Sequence, residues 1–163
     1  MPGLRTLHDA LELHDRAAGT GSEVTIEANK QTLAEFDALL GADDLTALDR
    51  LCRADMVNHA IAADRPSGLA GTREFLETMG RRQMTHEGWR ELVVVAEGDY
   101  IVQYGVRHGR WHGGEFMGFD APAGDYSRGF AAMYRFDNGQ IAERWAVRDD
   151  LTMLRQLGAF DRG

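Results

Sequence analysis

Residues 126–149 read YSRGFAAMYRFDNGQIAERWAVRD, and this stretch carries the clearest signal of the fold. Apolar and polar residues alternate on both sides of Asp137-Asn138-Gly139. An Asn-Gly pair between two alternating segments is typical of a tight β-hairpin. We therefore predict two antiparallel strands, one from Tyr126 to Phe136 and one from Gln140 to Asp149.

More strands are predicted upstream of this hairpin. The segment from His86 to Glu97 is rich in Val and Leu and ends at Gly98-Asp99, and a second segment, Tyr100 to Arg107, follows directly. This arrangement predicts another hairpin. A further glycine-punctuated segment ends near Gly118. Together these segments predict an antiparallel meander of four or five strands.

Before Met84 the apolar residues recur at helical spacing instead. We predict three helices there and a short one, from Leu151 to Leu157, near the C-terminal end. Helices followed by a meander indicate an α+β fold in which the helices pack on one face of a curved sheet. The apolar faces of the first three helices comprise Leu33, Phe36, Leu39 and Leu40; Leu45, Leu48, Leu51 and Cys52; and Phe75, Leu76 and Met79.

The length of 163 residues suits one domain with a single core. We predict that this domain covers residues 22–163. Residues 1–21 are expected to form a leader that is either loosely attached or a short extra helix.

The charge balance limits the classes of partner. Twenty-six acidic and eighteen basic residues give a formal net charge of −8, and the basic residues are scattered. This pattern argues against binding to nucleic acid or to an anionic membrane. No apolar run approaches the ~20 residues that span a bilayer, and the N-terminal residues lack the apolar stretch of a signal peptide. A soluble cytoplasmic protein is therefore expected.

The cysteine count argues against disulfides and zinc. The single cysteine, Cys52, cannot form an internal disulfide, and no cysteine–histidine spacing resembles a zinc site. Cys52 lies on the apolar side of a helical pattern, so we predict a buried core thiol. No metal site is expected.

Asp149 is a candidate acid/base residue. Strict alternation places it on the same face of the last strand as Glu143, Trp145 and Val147, and the large apolar members indicate that this face points inward. A carboxyl group among apolar walls has a raised pKa and suits proton transfer near neutrality. The alternative is that Asp149 caps the final helix and Asp150 faces solvent.

His112 is a second candidate, because the alternation puts it on one strand face with Gly114, Phe116 and Gly118. Small residues on an inward face leave room for a ligand, so His112 is predicted to donate a hydrogen bond or a proton. The alternative is a core or rim histidine bonded to a backbone carbonyl. Asn58 and His59 follow the second helix, where a loop could close one end of a cup.

Several aromatic residues are candidate ligand contacts or ordinary core. Phe116, Tyr134 and Trp145 belong to this group, and Tyr104 carries a hydroxyl that needs a partner if it is buried. Arg128 and Arg135 lie on opposite faces of one strand, so only one of them can point inward.

Four segments resemble a known family. They are AEGDYIV at 96–102, WHGGEFMG at 111–118, FDNGQIAERW at 136–145 and DDLTMLRQLG at 149–158. They are similar to the SnoaL-like polyketide cyclases, also called ester cyclases, and the resemblance covers roughly residues 27–158. One departure is Arg144, which stands where a histidine is common in the family.

The resemblance implies a nuclear transport factor 2-like fold, a cone in which helices and a curved sheet enclose a pocket. It implies Asp149 as the catalytic acid/base and His112 as the active-site histidine. It also implies intramolecular aldol condensation without metal, cofactor or Schiff base.

From these observations we predict a cofactor-free acid/base enzyme for an apolar carbonyl compound. The expected reaction is polyketide-cyclase-like aldol ring closure by Asp149 and His112. The substrate contacts are predicted to be Asn58, His59, Tyr104, Phe116, Tyr134, Glu143 and Trp145. The alternatives are a hydrolase, hydratase or isomerase that uses the same aspartate, or a non-catalytic ligand-binding module. Pairing through the open sheet face predicts a homodimer.

Overall fold

A computed structural model describes residues 25–61 and 65–161. The predicted leader, residues 1–21, lies outside these residues. The helices are α1 (Ile26–Ala38), α2 (Leu48–Leu51), α3 (Leu69–Glu77), which continues into a π-helical segment (Thr78–Gln83), and α4 (Asp150–Gln156). The strands are β1 (Cys52–Asn58), β2 (Met84–Glu97), β3 (Tyr100–Trp111), β4 (Gly114–Phe116), β5 (Phe119–Ala121), β6 (Gly124–Asp137) and β7 (Gln140–Arg148).

The main sheet has the strand order β1-β7-β6-β3-β2. All neighbouring strands are antiparallel except β1, which pairs with β7 in parallel. The hairpin predicted at Asp137-Asn138-Gly139 is confirmed, since Asn138 and Gly139 have φ of 51° and 80°, as a two-residue hairpin turn requires. The predicted α+β class, with helices on a curved and mostly antiparallel sheet, is confirmed.

Two predicted elements differ from the structure. The second helix is only the four-residue α2, because Cys52 already begins strand β1 at the edge of the sheet. The segment around His112 is not a single strand: β3 ends at Trp111, and β4 and β5 form a separate two-stranded sheet.

The helices cover one face of the sheet in two places. At one end Leu33 and Phe36 of α1 pack with Tyr134 and Phe136 of β6. At the other end Met153 of α4 belongs to a second cluster with Met84, Trp111, Tyr126 and Leu154. The covered face therefore has a core at each end, and the space between them contains the site described below.

A β-bulge in β7 decides which of its side chains point inward. Ile141 pairs with Phe136 and Glu143 pairs with Arg135, so Ala142 is an extra residue in β7. Ile141 and Ala142 are both buried, and beyond them the alternation is reversed. Arg144 therefore faces the helices.

The prediction that Glu143, Trp145, Val147 and Asp149 share the inward face is wrong. Val147 shows the reversal most clearly, because 74% of its surface is exposed. Asp149 is also exposed.

Candidate active site

A cavity lies between α1, α3 and the covered face of the sheet. Its volume is about 60 Å³. Its apolar wall includes Phe75, Phe116 and Phe130. Its polar wall carries six titratable side chains, and we call the cavity the arginine pocket after four of them: Arg107, Arg128, Arg144, Arg148, Asp37 and His86.

Arg107 is held between an acid and two rings. Its Nη2 donates to Asp37 Oδ1 at 3.0 Å, and its guanidinium carbon lies 4.7 Å from the ring centroids of both Trp89 and Phe130. Gln103 Nε2 donates to the other oxygen of Asp37 at 2.9 Å. The Asp37 carboxylate is thus fixed in position, and each of its oxygens still has a lone pair available.

Arg128 and Arg148 share one carboxylate at the other end of the pocket. Arg128 Nη1 donates to Asp150 Oδ1, and Arg148 Nε donates to Asp150 Oδ2 at 3.4 Å. Arg128 is 6% exposed. Burial lowers the pKa of its guanidinium, while the negative charge of Asp150 raises it. The alternative in which Asp150 faces solvent therefore does not match the structure in this respect.

Arg144 has neutral partners. Its Nη1 donates to Asn58 Oδ1 at 3.2 Å, and its guanidinium carbon lies 5.8 Å from the Tyr134 ring centroid. Asn58 Nδ2 donates in turn to Thr72 Oγ1 at 3.0 Å. This chain fixes the orientation of the Asn58 amide, whose oxygen must face Arg144.

His86 faces the pocket beside a tyrosine. The Tyr126 hydroxyl lies 3.2 Å from His86 Nδ1. A neutral imidazole nitrogen is a better acceptor than the sulfur of Met84, which lies 3.3 Å from the same hydroxyl, so we assign the tyrosine proton to the bond with Nδ1. Nε2 then carries a hydrogen, and this buried atom has no partner among the described residues.

A glycine allows this pair to form. A Cβ at Gly109 would lie 1.9 Å from the Thr85 carbonyl oxygen and 3.0 Å from the Tyr126 hydroxyl. The absence of a side chain therefore lets β2 and β3 approach closely and leaves room for the hydroxyl next to His86.

The pKa of His86 is lowered from 6.5 to about 4, first by burial and then by the charges of Arg107 and Arg128. The imidazole is therefore neutral at pH 7. A neutral imidazole with an N–H directed at a substrate can polarise a carbonyl group.

The lowered pKa predicts a loss of stability in acid. Between pH 6.5 and 4 the unfolded chain binds a proton at His86 that the folded chain does not bind, so unfolding becomes more favourable as the pH falls through this range. From pH 7 to pH 5, His86 should cost on the order of 1–2 kcal/mol of unfolding free energy. The free energy of unfolding is measured with urea at both pH values. In His86→Phe it should decrease less between pH 7 and pH 5 than in the wild type, by the amount attributed to His86.

The matched control is His108→Phe, on the neighbouring strand β3. This variant should keep the acid sensitivity of the wild type. Equal acid sensitivity in wild type and His86→Phe would contradict the assignment.

Asp149, the predicted base, lies outside the arginine pocket. It is the N-cap of α4, where its Oδ1 accepts from Thr152 N at 3.0 Å. The side-chain and backbone hydrogen bonds with Thr152 lower its pKa. The predicted raised pKa is therefore wrong, and the capping alternative matches the structure. A catalytic role for Asp149 stays a prediction.

His112, the predicted partner of Asp149, is also exposed and does not line the pocket. Its Nδ1 lies 3.1 Å from the Arg82 carbonyl oxygen, and its Nε2 lies 2.8 Å from Thr85 Oγ1. Because a carbonyl only accepts, Nδ1 carries the hydrogen and Thr85 donates to Nε2. His112 thus ties the end of β3 to the π-helical segment, and a catalytic role for it stays a prediction.

The seven predicted substrate contacts fall into three groups. Asn58 and Phe116 line the arginine pocket. Tyr134 is fully buried beneath it, with its hydroxyl 3.3 Å from Gln103 Nε2. The other four lie away from the pocket: Tyr104 is exposed, and His59 stacks on Trp145 with its Nε2 3.1 Å from Glu143 Oε2.

The alternation of side chains along β6 predicted one residue of the arginine pocket. It required that only one of Arg128 and Arg135 point inward, and the structure shows Arg128 buried and Arg135 paired with Glu143. The other pocket arginines, Asp37 and His86 were missed, because an isolated charged residue in an amphipathic element usually faces solvent.

Cys52 is a buried thiol, as predicted. Burial raises its pKa to about 12, which disfavours the reactive thiolate. Within residues 25–61 and 65–161, no group of three His, Cys, Asp or Glu side chains is placed to hold a metal ion. In the same part of the chain, none of the helices has the length and apolarity needed to cross a membrane.

The sequence profile of the SnoaL-like polyketide cyclases matches residues 30–157. No curated protein matches the chain in sequence. IdmH from Streptomyces antibioticus, described as a candidate polyketide cyclase, is 27% identical with a TM-score of 0.64 and aligns over 80% of this chain and 98% of its own.

Two further solved structures share the fold. TsrD from Streptomyces laurentii is 23% identical with a TM-score of 0.72, and the alignment covers 84% of this chain and 99% of TsrD. AclR from Streptomyces galilaeus, described as a candidate hydroxylase, is 21% identical with a TM-score of 0.64, and the alignment covers 82% of this chain and 98% of AclR. These similarities confirm the nuclear transport factor 2-like architecture that the sequence predicted.

Proposed function

The chain belongs to the SnoaL-like polyketide cyclase family, a family of small-molecule cyclases, and from this premise we propose that the arginine pocket is its reaction site. The proposed activity is acid/base chemistry on a carbonyl compound, in which an enolate forms. The observation that carries the proposal is Nε2 of neutral His86, which has no partner among the described residues and belongs to a cavity lined by four arginines.

The proposed roles follow from the contacts. Asp37 contributes the only carboxylate among the described lining residues, so it removes the proton next to the carbonyl group. His86 Nε2–H donates to the carbonyl oxygen as it gains negative charge. The guanidinium groups stabilise the same charge, and fixed donors in a buried site do so without reorganisation.

Ring closure completes the proposed reaction. The enolate carbon forms a bond to a second carbonyl carbon of the same molecule, whose oxygen becomes an alkoxide. The alkoxide takes up the proton that Asp37 removed, so the carboxylate is regenerated. Isomerisation would use the same first step and return the proton to a different carbon.

Hydrogen–deuterium exchange tests this first step without knowledge of the natural substrate. Phenylacetone, a neutral ketone, and phenylpyruvate, a keto acid, each have exchangeable hydrogens next to the carbonyl. We expect the protein in D₂O to accelerate exchange into at least one of them, followed by proton NMR. No acceleration of either exchange would contradict the proposal and favour a non-catalytic binding module.

We also propose that a second copy of the chain covers the open face of the sheet. Apolar side chains of four neighbouring strands lie together there, since Val102 of β3 pairs with Val95 of β2 and Met133 of β6, and Met133 pairs with Trp145 of β7. Two copies of one apolar face can join around a twofold axis.

This proposal predicts that a single charged residue introduced into the apolar face abolishes the dimer. Val102 is central in the face, so Val102→Lys should yield a monomer in sedimentation velocity, whereas the wild type sediments as a dimer. Leu151→Lys, at an exposed leucine of α4, is the control and should stay dimeric. A monomeric wild type would overturn the proposal.

A further inference from the structure

The charges of the arginine pocket do not balance. Four arginines line it, and the two acids that contact them are Asp37 and Asp150. Four positive charges against two negative charges leave an excess of two. The whole chain carries −8, so its overall charge does not attract anions, and this positive region is local.

Arg144 contributes to the excess of positive charge in the arginine pocket. Asp37 pairs with Arg107, and Asp150 pairs with Arg128 and Arg148. No carboxylate of the described residues lies within ion-pair distance of Arg144, which is 7% exposed. An arginine guanidinium carries a positive charge. A buried charge without a counter-ion is costly, and proteins usually pair such charges.

One edge of the Arg144 guanidinium carries an unsatisfied donor. Nη1 is used by Asn58, whereas Nε is buried and has no partner among the described residues. Nε and Nη2 form one side of the guanidinium, and their spacing matches the two oxygens of a carboxylate. In the same part of the chain, Nε of Arg128 and Nη1 of Arg148 are also buried without a partner, and both arginines line this cavity.

We propose that Arg144 binds a carboxylate group of the substrate. The inference rests on the proposed function and adds the substrate class, a carbonyl compound with a carboxylate. Asn58, fixed by Thr72, positions the guanidinium. The cavity volume of about 60 Å³ has room for several water-sized groups, at roughly 10–15 Å³ each, which is enough for a carboxylate and a reacting carbonyl.

Binding of benzoate and benzamide tests this inference. The two molecules have nearly the same shape and differ in charge, so their affinities isolate the contribution of the carboxylate. We expect calorimetry with the full-length protein to show benzoate bound about 10–100-fold more tightly than benzamide, as expected for a charge-assisted pair in a buried site.

Three variants test whether Arg144 causes the preference for benzoate over benzamide. Arg144→Met should abolish this preference. Arg144→Lys keeps the charge but loses the two adjacent donors, so it should reduce the preference. Arg110→Met removes an exposed arginine of β3 that pairs with Asp125, and it should keep the full preference. Because the methionine removes an unpaired buried charge, Arg144→Met should unfold in urea at or above the wild-type concentration.

Each outcome decides the inference. Equal affinities for benzoate and benzamide, no binding of benzoate at millimolar concentration, or an unchanged preference in Arg144→Met would overturn it. Failure of the proposed function is distinguishable, because exchange into neutral phenylacetone does not need the carboxylate. Catalysed exchange without a benzoate preference would refute only the carboxylate site, and a benzoate preference without exchange would refute only the reaction.

Discussion

Asp37→Asn should lower the rate of deuterium exchange into the responsive ketone by about 10²–10⁴-fold, the usual contribution of a general base. The amide keeps the size of the carboxylate, and its single oxygen can still accept from Arg107, but it loses the second acceptor that faces Gln103 and cannot take up a proton. The rate is measured by proton NMR at saturating ketone, so that the effect on the chemical step is separated from binding.

Two measurements on Asp37→Asn, its affinity for benzoate and its urea midpoint, show whether the pocket is still formed. Two further variants serve as controls. Asp37→Glu keeps a carboxylate on a longer side chain and should recover part of the exchange rate. Asp149→Asn should exchange at the wild-type rate. A wild-type rate for Asp37→Asn together with a large loss for Asp149→Asn would instead support the base that the family resemblance implied.

Asp150→Asn should destabilise the fold by about 3 kcal/mol, because removing one partner of a buried ion pair leaves the other charge uncompensated. The remaining charges are those of Arg128 and Arg148, and Arg128 has little access to water. The free energy of unfolding is measured with urea at pH 7.

Asp149→Asn is the matched control for this stability measurement. It changes the neighbouring residue in the same way, but asparagine also caps helices well, so its effect should be small. The two adjacent substitutions therefore report which aspartate pairs with Arg128 and Arg148. A larger loss for Asp149→Asn than for Asp150→Asn would contradict the assignment of this ion pair to Asp150.

Local chemistry predicted the elements of the fold better than it predicted the inward faces. The turn at Asn138 and Gly139 depends only on residues next to each other, and the hairpin formed where the sequence indicated it. Strand β1 was missed, because its residues 53–55 are Arg, Ala and Asp and show none of the apolar enrichment of a typical strand. Its pairing with β7 depends on a partner about ninety residues away, which no local pattern contains.

The candidate site was harder to predict, for a physical reason. The rule that the more apolar face of a strand is buried placed Trp145 and Val147 inside and Arg144 and Arg148 outside. The structure reverses this, because the four arginines are stabilised by Asp37, Asp150, aromatic rings and neutral amides from other elements. Such compensation depends on tertiary contacts, so only the pair Arg128 and Arg135 gave a usable signal.

The extra residue at Ala142 changes how sequences of this family should be compared. A bulge shifts the phase of every later side chain in the strand, so two relatives aligned without a gap can present opposite sets of residues to their cavities. Here that phase brings two guanidinium groups of β7 inside and leaves its Trp145 and Val147 on the other face. A single inserted or deleted residue in this strand would thus remove two guanidinium groups from the cavity without any substitution, and the chemistry of a relative has to be inferred from its strand phase as well as from its aligned residues.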